Sequence, residues 1–156
     1  MGNSGGNASV LIDLTVAAVL VWAAVEDLRQ FRIPNRAVAL LAGGFFGACL
    51  LQGDGGLLIV HAAFAAFGFA LLIGAFAARM IGGGDAKLLA VALLWLGPES
   101  ALAFAILLLC AVLLYAAGAR FRFVPSRTTN GRTRIPFGPC IAAAWLGAMG
   151  LQRALL

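Results

Sequence analysis

Six apolar runs, at about 10–26, 36–52, 57–78, 86–97, 100–118 and 137–154, take up most of this chain and leave only short connections between them. A helix needs about 20 apolar residues to cross a bilayer. The runs therefore predict an all-α polytopic membrane protein of about six transmembrane helices, with 1–156 as a single integral-membrane domain. The second and fourth runs are short. The fourth is hemmed between a glycine-rich stretch and Gly97-Pro98, so it spans only if its neighbours shield its ends or the bilayer thins around it. Composition agrees with lipid as the main solvent. Hydrophobic residues make up 63% and charged residues 11%, with mean hydropathy +1.02, whereas a soluble domain carries about a quarter charged residues.

The net charge of +5 comes from 11 Lys+Arg against 6 Asp+Glu. It is not a nucleic-acid footprint, which gathers basic residues on one folded face. Here they lie between apolar runs. Arg29, Arg32 and Arg36 follow the first run, Arg79 and Lys87 the third, and Arg120, Arg122, Arg127, Arg132 and Arg134 the fifth. Only Arg153 falls elsewhere, while Asp54 and Glu99 occupy the alternate loops and Asp13 lies near them. The positive-inside bias then predicts extracytoplasmic termini and three basic cytoplasmic loops. Residues 1–9 hold no Lys or Arg. They lack the basic start of a secretory signal, so the first run is expected to stay as a membrane helix.

Asp27 and Asp85 fall on the same predicted face. Carboxylates beside hydrocarbon are costly and tend to be kept for a purpose, and two that meet suffice for acid–base chemistry. Asp27 closes the first run and Ile33-Pro34-Asn35 opens the next. Pro34 biases Ile33 away from helix and suits the first turn of a new one, with Asn35 able to bond nearby backbone. The plainer reading is an acid that solvates a helix tip. Gly82-Gly83-Gly84 precedes Asp85. Consecutive glycines cost helix stability and allow close backbone approach, so an extended stretch open to a peptide is expected there. A flexible loop and small-residue helix packing are the plain alternatives. A phosphate-cradling loop is not, since no Gly-Lys-Ser/Thr follows. Lys87 reads either as a charge partner for Asp85 or as a snorkelling boundary lysine.

Other features read as structural. Pro136, Gly138 and Pro139 make a stiff lead into the last run that cannot be regular helix throughout. Arg120-Phe121-Arg122-Phe123 alternates and Asn130-Gly131 signals a turn, so a small hairpin on the membrane surface is expected, its arginines facing lipid headgroups. Cys49, Cys110 and Cys140 stand apart in apolar stretches and support neither a disulfide framework nor a zinc site. His61, the only histidine, reads as a hydrogen-bonded boundary residue, Asp13 as interfacial, and Phe76 among other phenylalanines as packing. No cofactor or metal is expected.

Asp27 with Ile33-Pro34-Asn35, Gly82-x-Gly84-Asp85 with Lys87, and Ile135-Pro136-Phe137-Gly138-Pro139 together resemble the type IV prepilin peptidases, membrane aspartyl proteases of the Gly-x-Gly-Asp class. The resemblance runs in order along essentially the whole chain. It implies that Asp27 and Asp85 cleave the leader from prepilins or pseudopilins at the cytoplasmic face of the bacterial inner membrane. Pro34, Asn35, Gly82, Gly83, Gly84, Lys87, Pro136, Gly138 and Pro139 would bind substrate or support the pair. The implied partners are substrates with a basic leader and an apolar helix, and membrane lipids, without nucleic acid. Larger members carry an N-terminal insertion with paired cysteines and also methylate the product. Here the first run begins near residue 10 and the cysteines are scattered, so the resemblance is to the short, peptidase-only form associated with tight-adherence pili.

Two other functions compete with this one. A presenilin-like intramembrane protease shares Gly-x-Gly-Asp, but its other aspartate usually follows a tyrosine, whereas Val25-Glu26 precedes Asp27. A small proton-coupled transporter would want acids near the bilayer midplane and an internal repeat. No clear repeat is visible, and both acids sit at run edges.

Overall fold

The computed structural model describes residues 4–120, 127–129, 132–134 and 136–155. Among them are five helices: α1 (Ser4–Gln30), α2 (Asn35–Gln52), α3 (Gly55–Ala77), α4 (Gly83–Arg120) and α5 (Gly138–Leu155). A short antiparallel pair, β1 (Arg127–Thr129) and β2 (Arg132–Arg134), lies between α4 and α5, with Thr128 opposite Thr133. The strands bracket the expected Asn130-Gly131 turn. Those two residues, and residues 121–126 and 135, lie outside the described residues. Four stretches are long and apolar enough to cross a membrane: Ser9–Gln30, Asn35–Gln52, Gly55–Ala77 and Gly83–Gly118. The protein is a multi-pass helical membrane protein.

The fourth and fifth apolar runs form one element with a break inside it. Gly97 is non-helical, at φ 63° and ψ −177°, and Pro98 follows. The chain reverses there. Cys140, two residues into α5 from Gly138, points its thiol at the carbonyl of Ala111 (3.7 Å), and Gly138 touches Asp27. Asp85, at the start of α4, lies within electrostatic reach of the same Asp27. An unbroken helix would set Asp85 and Ala111 about 39 Å apart. The arm of α4 after Pro98 therefore runs back beside the arm before it, giving six helical segments in place of five straight ones.

The reversal has a specific fastening. Pro98 has no N–H, so the carbonyl of Leu94 loses its helical donor. His61 of α3 takes that place, with Nδ1 2.9 Å from the Leu94 oxygen. A carbonyl only accepts, so Nδ1 carries the proton. Nε2 then faces Glu99 at 3.6 Å, and the ring stacks on Phe45 of α2. The sequence reading of His61 as a hydrogen-bonded boundary residue agrees with this arrangement. Gly97 has no room for a side chain, since a Cβ would run into the His61 ring and the Glu99 carboxylate.

The largest fully buried side chains come from four helices: Leu20 of α1, Leu41 of α2, Leu88 and Leu96 of α4, and Ile141 and Trp145 of α5. In lipid such contacts hold helices by close packing, not by a hydrophobic drive between them. A second cluster of Phe45, Cys49, Ala65 and Leu94 joins α2, α3 and α4 at the end remote from Asp27. At that remote end Asp13 of α1 also pairs with Arg153 of α5. Asp13 is thus a tie between the first and last helices. Gly97→Ala combines a left-handed backbone with a steric clash. It should destabilise the detergent-solubilised protein by at least about 1 kcal/mol, read as a lower thermal unfolding midpoint.

Candidate active site

Asp27 lies on the last turn of α1, which ends where Phe31 turns left-handed at φ 54°. Its side chain is buried, the residue only 4% exposed. One oxygen, Oδ2, accepts from the Gly138 N–H at 2.8 Å, across 111 residues of sequence. Local chemistry makes that donor available. Pro136 and Phe137 are non-helical, α5 begins at Gly138, and the first N–H groups of a helix have no partner within it. Glycine is required at this point. A Cβ on residue 138 would lie 2.8 Å from Asp27 Oδ2 and 3.0 Å from Asp27 Cβ.

Asp85 stands in the first turn of α4. The expectation of an extended glycine stretch is corrected here, because Gly83 and Gly84 are already helical and only Gly82 stays outside. Gly82 caps the helix, its carbonyl accepting from the Ala86 N–H at 3.0 Å. The Asp85 carboxylate folds back onto the Gly82 backbone N–H. This is the reciprocal half of a capping box, and it closes the turn that would otherwise be slack. A side chain at 82 would again meet the carboxylate, with Cβ 2.8 Å from Asp85 Oδ2. Gly83 lies against Phe76 and Gly84 against Ile33, with Cβ distances of 3.3 and 3.4 Å.

Lys87 does not serve as the partner of Asp85. Its Nζ donates to Asn35 Oδ1 at 3.2 Å, joining the start of α4 to the start of α2. That contact also corrects Asn35, whose side chain reaches another helix instead of nearby backbone. Pro34 precedes α2 at φ −69° and ψ 126°, as a residue just outside a helix should.

Asp27 and Asp85 line one cleft of about 1270 Å³, above the 300–1,000 Å³ or so of small-molecule sites. One wall is the α1–α2 link from Phe31 to Ile33 with Asn35, and the other runs from Phe76 to Asp85 across the α3–α4 link. Pro136 and Phe137 complete it, while Gly138 bonds Asp27 and Pro139 follows it in the first turn of α5. Arg79, left-handed at φ 58°, ends α3 in a double turn, with Met80 N–H bonded to Ala75 and Arg79 N–H to Phe76. Among the described residues no three His, Cys, Asp or Glu side chains converge where a metal could sit. Three neighbours escaped the sequence reading. Phe76, read as packing, lines the cleft, and Tyr115 and Cys140 lie within electrostatic reach of Asp27. The only signal for Tyr115 was that it is the sole tyrosine.

Residues 14–117, about two thirds of the chain, match the model of the type IV leader peptidase family. The chain belongs to this family. No curated protein and no solved structure matches it. Membership makes it a peptidase whose family acts on prepilin-type substrates. The matched residues contain Asp27, Asp85 and all three glycines before Asp85; the segment from Pro136 to Pro139 lies beyond them.

The Lys87–Asn35 bond is exposed, and such a bond contributes little. Lys87→Met should therefore shift stability by less than about 1 kcal/mol. It should leave peptidase activity within a few-fold of wild type in a leader-cleavage assay.

Proposed function

We propose that this protein is an aspartyl endopeptidase that removes the leader from prepilin-like proteins, with Asp27 and Asp85 as its catalytic pair. The observation that carries this reading is the convergence of the two carboxylates on one cleft, each anchored by a backbone N–H. Asp27 is buried in an otherwise apolar bundle, a costly placement unless the group is used.

The chemistry is attack of water on the scissile carbonyl. One aspartate, ionised, takes a proton from the water as its oxygen bonds to the carbonyl carbon. The other, protonated, donates to the carbonyl oxygen; the first then passes its proton to the nitrogen as the C–N bond breaks, while the second takes back a proton from the gem-diol hydroxyl, restoring the pair. A free carboxyl terminus and a free amine result. When the two carboxylates meet over the substrate they share one proton, and the pair titrates as a unit. No bound group is required for any step.

The ten basic residues of the connecting loops support a cytoplasmic location for this end of the bundle. The same bias and the reversal at Gly97 support six crossings with both termini outside. The substrate then keeps its basic leader in the cytoplasm and its apolar helix in the membrane. The scissile bond lies at the boundary between them, level with the cleft.

Asp27→Asn and Asp85→Asn should each insert and fold normally yet cut prepilin at least about 1,000-fold more slowly. The measurement is conversion of a purified prepilin to its mature form in detergent. Wild-type processing by either variant would end the proposal.

A further inference from the structure

The Asp27 carboxylate is held from a distance. Its donor belongs to α5, not to its own helix: Gly138 N–H reaches Asp27 Oδ2 at 2.8 Å in a buried contact. The donor is fixed by its surroundings. Pro139 follows it directly and has no N–H of its own to compete for the carboxylate. On the far side, Cys140 docks on Ala111 and a Cβ at Gly147 would stand 3.1 Å from Leu107. The start of α5 is therefore pinned against the returning arm of α4. A backbone donor also cannot titrate or change rotamer, unlike a side chain in the same place.

We propose that Gly138 is a positioning residue of the peptidase: its peptide N–H occupies Asp27 Oδ2 and fixes the carboxylate so that Oδ1 is the oxygen left for catalysis. The requirement for glycine follows from the approach distance. Any side chain at 138 meets Asp27 Oδ2, Cβ and Cγ, at 2.8, 3.0 and 3.1 Å from its first carbon, and so displaces the group it should hold. The proposal rests on Asp27 and Asp85 being the catalytic pair. It adds a part of the site outside the family match over residues 14–117.

The test uses the full chain in detergent and a purified prepilin carrying a basic leader and an apolar helix. Gly138→Ala, Asp27→Ala, the double variant and Asp85→Asn are compared with wild type. Gly150→Ala is the control, since a Cβ there meets nothing within 4 Å. Gly138→Ala should lower kcat on the order of 100-fold, the scale of a small misplacement of a catalytic group. KM should stay within about 3-fold, because the substrate still has its cleft. The thermal midpoint lost in Gly138→Ala should be partly regained in the Asp27→Ala background, where the carboxylate is gone and only the 3.0 Å approach to Cβ of residue 27 remains. Should Gly138→Ala fail to fold while the double variant folds, the close approach to Asp27 is confirmed as the cause.

Wild-type kcat in Gly138→Ala, a loss confined to KM, or equal destabilisation in both backgrounds would overturn the proposal. So would failure of both Gly138→Ala and the double variant to fold. Active Asp27→Ala and Asp85→Asn proteins would instead overturn the catalytic assignment beneath it. Inactive aspartate variants beside an unimpaired Gly138→Ala remove the positioning role alone.

Discussion

A carboxylate in an apolar bundle is costly unless a fixed donor meets it, and both aspartates meet theirs at the start of a helix. Asp85 bonds the cap of its own helix α4, and Asp27 bonds the first residue of α5. Unpaired N–H groups and the positive end of the helix dipole favour a negative group in each position. The same requirement explains the two glycines that touch the carboxylates. Gly82 and Gly138 are the points where backbone comes so near that a Cβ would lie 2.8 Å from a carboxylate oxygen.

For the starts of α4 and α5 to lie at one end of the bundle, the chain between them must leave and return. A straight α4 would carry α5 far from Asp27. The reversal at Gly97-Pro98 prevents this, and it is secured at the remote end by His61 filling the vacancy at Leu94. The pairing of Asp13 with Arg153 then fixes the other ends of α1 and α5. With both ends tied, the two helices lie antiparallel along their length. The placement of Gly138 against Asp27 thus depends on contacts about 20 Å away along the helices.

Much of this was legible because it is local or periodic. Apolar runs mark the helices, and the basic loops predict one face for Asp27 and Asp85. Gly97-Pro98 was visible as an interruption. Its consequence was not, because the interruption shows where a helix stops and not which way the chain turns. The glycines before Asp85 were misread as extended because their propensity argues against helix. What overrides it is one carboxylate–backbone bond that closes the first turn. Lys87 beside Asp85 in sequence suggested a charge pair, yet on a helix residues two apart point to different sides. The Gly138–Asp27 bond joins positions 111 residues apart, and no local pattern encodes such a contact.

The two hydrogen bonds hold each carboxylate to its own support, but neither sets the distance between them. Asp85 travels with the first arm of α4, whereas Asp27 travels with α1 and α5. What joins these bodies is the core directly beneath the pair. Leu88 follows Asp85 by one turn and Ile141 follows Gly138 by one turn, so each lies on the same helix face as the group above it. Both are fully buried, in one cluster with Leu20 and Trp145. At the same level the exposed Lys87–Asn35 bond ties α4 to α2, not to α1. The separation of the two aspartates is therefore a packing quantity. It is set through α5, which packs against both α1 and α4 and whose Ile141 shares one buried cluster with Leu20 and Leu88, and it can change without breaking either hydrogen bond that holds a carboxylate in place.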